Sequence, residues 1–233
     1  MNKINVIRIK ILFTTFFPIL VYSSELTYYS NIKLSHTRTD SEYSSNRTSI
    51  YSDVSIPIKN YFGTSFLGSV TTSEMSKSVG LRAGAYLNNS KIGAISVRYL
   101  FSRSFNDSSP NIDNNEISLY GAYYYKIFNF TVSRSKYSAS GDGINIPDYN
   151  SAIVGMSVFL NEDVLISINH GLLDADELIG VGVGYLPKFI GHKTLFKTAL
   201  YKQPSGNNTI QLGVSYYFGK QQSLLYHKRN EFN

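Results

Sequence analysis

The sequence predicts an all-β fold, an antiparallel up-and-down transmembrane barrel of twelve strands. Three observations predict it. Apolar and polar residues alternate with a period of two in twelve successive segments, as in strands that turn one face to lipid and the other to water. The links between these segments alternate between short and longer. After the first two dozen residues, no apolar run approaches the ~18 residues that indicate a spanning helix.

The N-terminus has the pattern of a secretory signal. Lys3, Arg8 and Lys10 supply positive charge, and the uncharged stretch 11–22 follows. This stretch is shorter than the ~20 residues of a spanning helix, and small residues suited to cleavage follow it. A signal peptide is therefore favoured over an uncleaved membrane anchor, with cleavage after Ser23.

These features divide the chain into three parts. Residues 1–23 are the expected signal peptide, and residues 24–218 form the expected barrel. Residues 219–233 form a polar tail that we expect on the periplasmic side, because export through the periplasm would leave both ends of an even-stranded barrel there.

The alternation is clearest in the last segment. Ile210, Leu212 and Val214 share one face, whereas Thr209 and Gln211 share the other. A strand with one apolar and one polar face fits a barrel that has lipid outside and water inside.

The same test was applied along the whole mature chain. In order, the expected strands and their apolar outward residues are about 25–37 (Leu26, Ile32, Leu34), 47–58 (Ile50, Val54, Ile56), 61–71 (weaker), 78–88 (Val79, Leu81, Leu87), 91–103 (Ile95, Val97, Tyr99), 115–127 (Ile117, Leu119, Tyr123), 128–138 (Phe128, Phe130, Val132), 150–161 (Val154, Met156, Val158), 163–171 (Val164, Ile166, Ile168), 177–187 (Ile179, Val181, Val183), 193–202 (Phe196, Leu200) and 208–218.

The connections indicate the topology. Links after even-numbered segments are short, whereas polar stretches such as 106–114 and 138–149 follow odd-numbered ones. Short periplasmic turns and longer outer loops are typical of outer-membrane barrels. The strand count would be ten if the third and eleventh segments failed to form strands. A soluble sandwich is disfavoured because its strands are usually about five or six residues, half the length seen here.

Composition excludes several classes of protein. The chain has no Cys, which rules out disulfides and thiolate metal sites. The formal charge of +6 comes largely from the signal and the tail, so the barrel segment carries 16 Lys and Arg against 15 Asp and Glu. A basic nucleic-acid-binding surface is therefore not expected.

The end of the last segment carries a family resemblance. Residues 213–218, Gly-Val-Ser-Tyr-Tyr-Phe, resemble the closing strand of Gram-negative outer-membrane proteins. The resemblance implies an outer-membrane location, recognition by the barrel-assembly machinery, and contact with outer-membrane lipid and lipopolysaccharide. One departure is that fifteen residues follow Phe218, whereas the family's Phe is usually last.

In size and strand count the chain is similar to the small twelve-stranded porins for acidic sugars, the oligogalacturonate and sialic-acid channels. The similarity implies a channel for passive diffusion of small, preferentially anionic solutes, as a monomer or a trimer. It is a likeness of architecture, with no diagnostic motif.

The polar face of the strands gives the expected pore lining. It carries five cations and one acid among tyrosines, namely Lys33, Arg82, Arg98, Lys126, Lys197, Asp53, Tyr29, Tyr86, Tyr120 and Tyr124. A lumen lined with cations attracts anions, and tyrosine rings stack on sugar faces. The alternative is a closed lumen, in which these cations pair internally and the outer loops bind a surface partner.

An enzyme is not expected. Outer-membrane hydrolases need a Ser activated by a His, and neither His36 nor His170, at the outer ends of strands, has a Ser two residues further on. Gly141-Asp142-Gly143 offers too few oxygen ligands for Ca²⁺. We therefore predict no catalytic residue, metal or cofactor.

Overall fold

Twelve antiparallel strands close into one barrel, in which each strand pairs with its neighbours in the chain and the first pairs with the last. The computed structural model describes residues 29–40, 45–59, 61–74, 76–106, 110–141, 144–173, 176–202, 207–218 and 223–229. The strands are β1 (Tyr29–Asp40), β2 (Ser45–Lys59), β3 (Phe62–Ser73), β4 (Ser76–Asn89), β5 (Gly93–Asn106), β6 (Ile112–Tyr125), β7 (Phe128–Gly141), β8 (Ile144–Phe159), β9 (Val164–Leu173), β10 (Asp176–Tyr185), β11 (Thr194–Lys202) and β12 (Asn208–Phe218).

The predicted twelve-stranded fold is confirmed. Both uncertain segments form strands, β3 and β11, so the alternative count of ten is wrong. Strand β12 has the predicted bounds, and most of the other ends differ by one to three residues. The expected signal peptide lies outside the described residues.

The strands extend further than predicted on one side of the barrel. β8 begins at Ile144 instead of about residue 150, and β6 begins at Ile112. Much of the polar stretch 138–149, which was expected to be a long outer loop, is therefore paired strand, and so are residues 112–114. The opposite side of the barrel contains the start of β1, the end of β12 and the predicted short turns, and we call it the turn end. The longest connection between strands in the structure, residues 186–193, also lies there.

The alternation of side chains sorts lipid-facing from lumen-facing positions. On β6 and β7, Leu119 and Val132 are each 53% exposed on the outside, whereas Tyr124 and Asn129 are buried inside. The outside carries many such apolar side chains, for example Leu81, Val97, Ile168, Val181, Leu200 and Leu212. An apolar outer band around a polar interior is the arrangement that a bilayer requires of a barrel.

Two short helices complete the described chain. A 3-10 turn, Lys188–Ile190, lies between β10 and β11, and helix α1, Leu224–Arg229, follows the last strand. Among the described residues, no helix is long and apolar enough to cross a membrane.

One glycine allows close packing between neighbouring strands. Gly93, at the start of β5, has a φ of 158°, and a Cβ there would lie 2.1 Å from the carbonyl oxygen of Ala122 on β6. Because that oxygen belongs to the backbone, we expect Gly93→Ala to destabilise the barrel by about 1–3 kcal/mol, as overpacking usually does. Urea titration of the refolded protein measures this change. Gly213→Ala is the control, since its nearest neighbour would be 3.6 Å away; equal stability of the two variants would contradict the packing argument.

Candidate functional site

The lumen contains a polar cavity of about 270 Å³. Its walls come from β1, β6 to β12 and helix α1, and its lining residues include Lys33, Tyr120, Tyr124, Asn129, Thr131, Ser167, Asn169, Lys197, Tyr201, Gln211, Gly213 and Lys228. Hydroxyl, amide and ammonium groups dominate this lining. Such a surface can hydrogen-bond to a hydrated polar solute.

Two lysines meet on one side of this cavity. Gly213 on β12 pairs with Lys197 on β11, and Lys33 on β1 pairs with the next inward residue of β12, Ser215. A Cβ at Gly213 would lie 3.9 Å from both Lys197 Cβ and Lys33 Cε. The lysines therefore flank a position with no side chain, and two positive charges face the same part of the lumen.

Aromatic rings lie beside the cations. The Lys33 Nζ lies 5.4 Å from the ring centre of Tyr51, and the Arg98 guanidinium lies 5.4 Å from that of Tyr120. Cation–π contacts at this distance orient long flexible side chains. Tyr120 therefore joins Arg98 to the cavity that holds Lys33.

The wall formed by β10 to β12 carries several inward-facing glycines. A Cβ at Gly180 would lie 2.5 Å from the Tyr201 ring, so that ring lies flat against the strand instead of crossing the lumen. Gly182, Gly184 and Gly213 line the cavity directly. These glycines keep the wall thin and leave the space that larger inward side chains would fill.

Helix α1 occupies the mouth of the barrel at the turn end. Leu224 is fully buried in an apolar cluster with four inward-facing strand residues, Phe159, Leu165, Leu195 and Tyr217, and with Leu186. The His227 ring stacks on Tyr217, with centres 4.1 Å apart and planes 9° apart. The helix therefore packs inside the mouth and not beneath it.

Polar contacts hold the helix to several separate strands and turns. The Leu224 N–H donates to the Glu162 carbonyl at 2.8 Å, and the Asn88 amide donates to the Arg229 carbonyl at 2.9 Å. The Arg229 guanidinium donates to the Asn129 side chain at 3.3 Å and to the Lys126 carbonyl. Burial lowers the pKa of Arg229, and these contacts compensate its lost hydration.

The structure separates the predicted pore-lining residues into groups. Lys33, Lys197, Tyr120 and Tyr124 line the cavity together. Arg98 joins them through Tyr120. Tyr29 begins β1, but its side chain is not among those that the structure describes.

Three further predicted residues face inward on another arc of the barrel. Asp53 and Arg82 are both register partners of Leu67, so they lie on either side of one strand. Tyr86 is buried and packs with Ala94 and Tyr124.

Lys126 is placed differently from the prediction. It lies in the turn between β6 and β7, with a positive φ of 50°, and its Nζ lies 5.4 Å from the ring centre of the outward-facing Tyr125. It is exposed, and its side chain points away from the lumen. Only its carbonyl takes part in the site, as an acceptor for Arg229.

The histidines considered for catalysis lie outside the lumen. His36 and His170 alternate with the inward residues of β1 and β9 and are exposed. The His36 ring nitrogen Nδ1 lies 3.0 Å from the Thr48 hydroxyl. That the chain is not an enzyme stays a prediction.

Several site residues were missed in the sequence, among them Gly213 and Lys228. Gly213 could have been found, because it lies an even number of residues from Gln211 and Tyr217 and therefore faces inward as they do. Lys228 could not, since it follows the last alternating segment. Residues 223–229, within the predicted polar tail, thus form part of the site.

The fold and the lumen define the class of structure: a transmembrane β-barrel of the outer-membrane type, with a polar interior. Many solved structures have a similar fold, among them the following three. The KdgM porin in complex with disordered oligogalacturonate is 14% identical, covering 81% of this chain and 99% of its own, with a TM-score of 0.60. An outer membrane channel from Pseudomonas putida F1 is 9% identical over 82% of this chain and 95% of its own, with a TM-score of 0.61.

The translocator domain of the autotransporter NalP from Neisseria meningitidis is 9% identical, covering 92% of this chain and 98% of its own, with a TM-score of 0.51. No protein-family model matches the chain, and no curated protein matches it. The expected resemblance to small acidic-sugar porins is therefore confirmed at the level of the fold.

Proposed function

We propose that this protein is an outer-membrane channel for passive diffusion of small, preferentially anionic solutes. The observation that carries the proposal is the polar cavity in which Lys33 and Lys197 flank Gly213. Cations in a lumen with low-dielectric walls raise the local concentration of anions. The barrel would sit with its turn end in the periplasm, as a monomer or a trimer among outer-membrane lipid and lipopolysaccharide, after insertion by the assembly machinery.

Acidic sugars are the solute class that this lining favours. The lysines and Arg98 would bind carboxylates, and Tyr120 and Tyr201 offer ring faces and hydroxyls near them. A fold shared with a porin solved in complex with an oligogalacturonate is consistent with this choice.

The first test is single-channel current in a planar bilayer. We expect discrete currents and a reversal potential of the anion-selective sign in a salt gradient. Gly213→Leu should lower the conductance roughly twofold or more, because Gly213 lines the cavity and a Cβ there would lie no closer than 3.6 Å to the backbone, so that the larger side chain extends into the conducting space. Gly213→Ala is the matched control and should leave the current unchanged.

A closed barrel whose outer loops bind a surface partner is the second candidate. The observation that favours it is helix α1 in the turn-end mouth. Absence of current from a correctly folded barrel, and also from the variant with a released helix described below, would favour this candidate over the channel.

A further inference from the structure

We propose that helix α1 is a plug that closes the turn-end mouth of the barrel, and that its Lys228 helps to determine the selectivity of the cavity above it. The proposal rests on the channel function for its second part only. Closure of the mouth can be measured without any assumption about transport.

The contacts of the helix reach across the mouth. At its N-terminal end, Leu224 is buried against inward residues of β8, β9, β11 and β12. At its C-terminal end, Arg229 contacts Asn129 on β7 and the turn before it, and Asn88 on β4 binds the Arg229 carbonyl. Since β4 and β9 lie five strands apart in the ring, a chain segment that joins them must cross the opening.

The middle of the helix completes the closure. The stacked pair of Tyr217 and His227 fills the β12 side, and the His227 Nε2–H donates to the His192 carbonyl at 3.3 Å. The Arg229 guanidinium lies 5.1 Å from the ring centre of Tyr124 on the far side. Aromatic rings and the helix backbone thus lie where a solute would leave the cavity.

The helix is attached in a way that permits release. It has six residues, and isolated helices shorter than about 12 residues are marginal in water. Its structure therefore depends on its contacts with the barrel, at its two ends and through His227. Weakening these contacts favours release of the whole segment, while the sheet remains closed through its own strand pairing.

Lys228 gives the plug a second role. It lines the same cavity as Lys33 and Lys197, so the seated helix places a third ammonium group at the bottom of the lumen. An anionic solute that enters from the outer side therefore meets positive charge on both the wall and the plug.

Closure is tested first by thiol labelling, because the chain has no native Cys. Thr131→Cys places one thiol in the cavity wall. A membrane-impermeant maleimide is added to the periplasmic side. Adding Leu224→Asp, which buries a carboxylate in the apolar cluster, should raise the labelling rate roughly tenfold or more by favouring local opening.

The matched control is Tyr226→Asp, on the exposed face of the same helix, which should leave the rate near that of Thr131→Cys alone. Equal rates in the Leu224→Asp and Tyr226→Asp backgrounds would overturn the plug. Heat-modifiability on gels confirms that each barrel is folded.

A covalent lock gives the opposite change. Because the Leu224 N–H binds the Glu162 carbonyl, Ser223 lies beside Glu162, and the double variant Glu162→Cys/Ser223→Cys can be joined by a short bifunctional thiol reagent. Joined protein should carry little or no current even with Arg229→Ala, whereas unjoined protein with Arg229→Ala should conduct better than wild type. Full conductance in the joined protein would overturn the plug.

Selectivity is tested with Lys228→Glu against Lys91→Glu, an equal charge change in an exposed turn. Lys228→Glu should weaken severalfold the protection that a small anion gives the Thr131→Cys thiol against labelling from the outer side, because the seated helix then brings no positive charge to the cavity. Lys91→Glu should leave that protection unchanged. Equal protection in the two variants would show that Lys228 does not contribute to the selectivity of the cavity. If no variant conducts but Leu224→Asp still speeds labelling, the helix is a plug and the barrel is not a channel. If currents exist and Leu224→Asp changes neither current nor labelling, the barrel is a channel and the helix is not a plug.

Discussion

Reversing the two lumen lysines, Lys33→Glu/Lys197→Glu, is expected to convert the channel from anion to cation preference. Both side chains line one cavity, and both lie beside Gly213. A unit charge about 10 Å from an ion contributes about 1.7 kcal/mol at an effective dielectric constant of about 20. Since 1.4 kcal/mol is about tenfold in an equilibrium constant, the permeability ratio should fall by more than about tenfold.

The measurement is the reversal potential in a salt gradient, at low ionic strength so that screening does not mask the charges. The control is Lys77→Glu/Lys91→Glu, which makes the same net change at two exposed residues that do not line the cavity. An unchanged sign in the lumen variant would show that other groups set selectivity. An equal change in the control would indicate a surface-charge effect.

Val132→Lys is expected to destabilise the barrel by about 2–4 kcal/mol, the usual effect of a cation on the lipid face near the bilayer midplane. Val132 lies on the outer face of β7 and is 53% exposed. Its neighbour Thr131 lines the lumen cavity. Thr and Val have nearly the same shape, so Thr131→Lys is a closely matched control that differs mainly in which face receives the charge.

Reversible folding into lipid vesicles, followed by urea titration, measures both variants. Thr131→Lys should change stability much less than Val132→Lys, because its ammonium group remains in water. It should instead increase anion preference. If the two variants lost equal stability, the assignment of inner and outer faces on β7 would be wrong.

The faces of the strands could be predicted because a strand has a fixed side-chain period of two. Once Leu212 was assigned to the lipid, Gln211 and Gly213 had to face the lumen. The same rule failed at Lys126. Lys126 lies two residues after the inward-facing Tyr124, so the alternation predicted that it faces inward. However, β6 ends at Tyr125, and the alternation of a strand does not continue into a turn with a positive φ.

Helix α1 could not have been predicted from the sequence either, and the physical reason is different. Six residues are too few to show a helical period, and most helical stability in proteins comes from tertiary packing. The partners of the segment, such as Asn88 and Glu162, lie far away in the sequence. The outer strand extensions were missed because Asn, Ser and Asp in 138–149 read as loop, although pairing continues there.

The position of helix α1 also implies an order for barrel closure and helix docking during folding of the protein. Its partners come from β4, β7, β12 and the turn at Glu162, and they surround one opening only after β12 has paired with β1. The helix follows β12 in the chain, so it docks last, after the seam has closed. Docking is therefore expected only in the complete barrel, and protease resistance of residues 223–229 should arise later than protection of the strands.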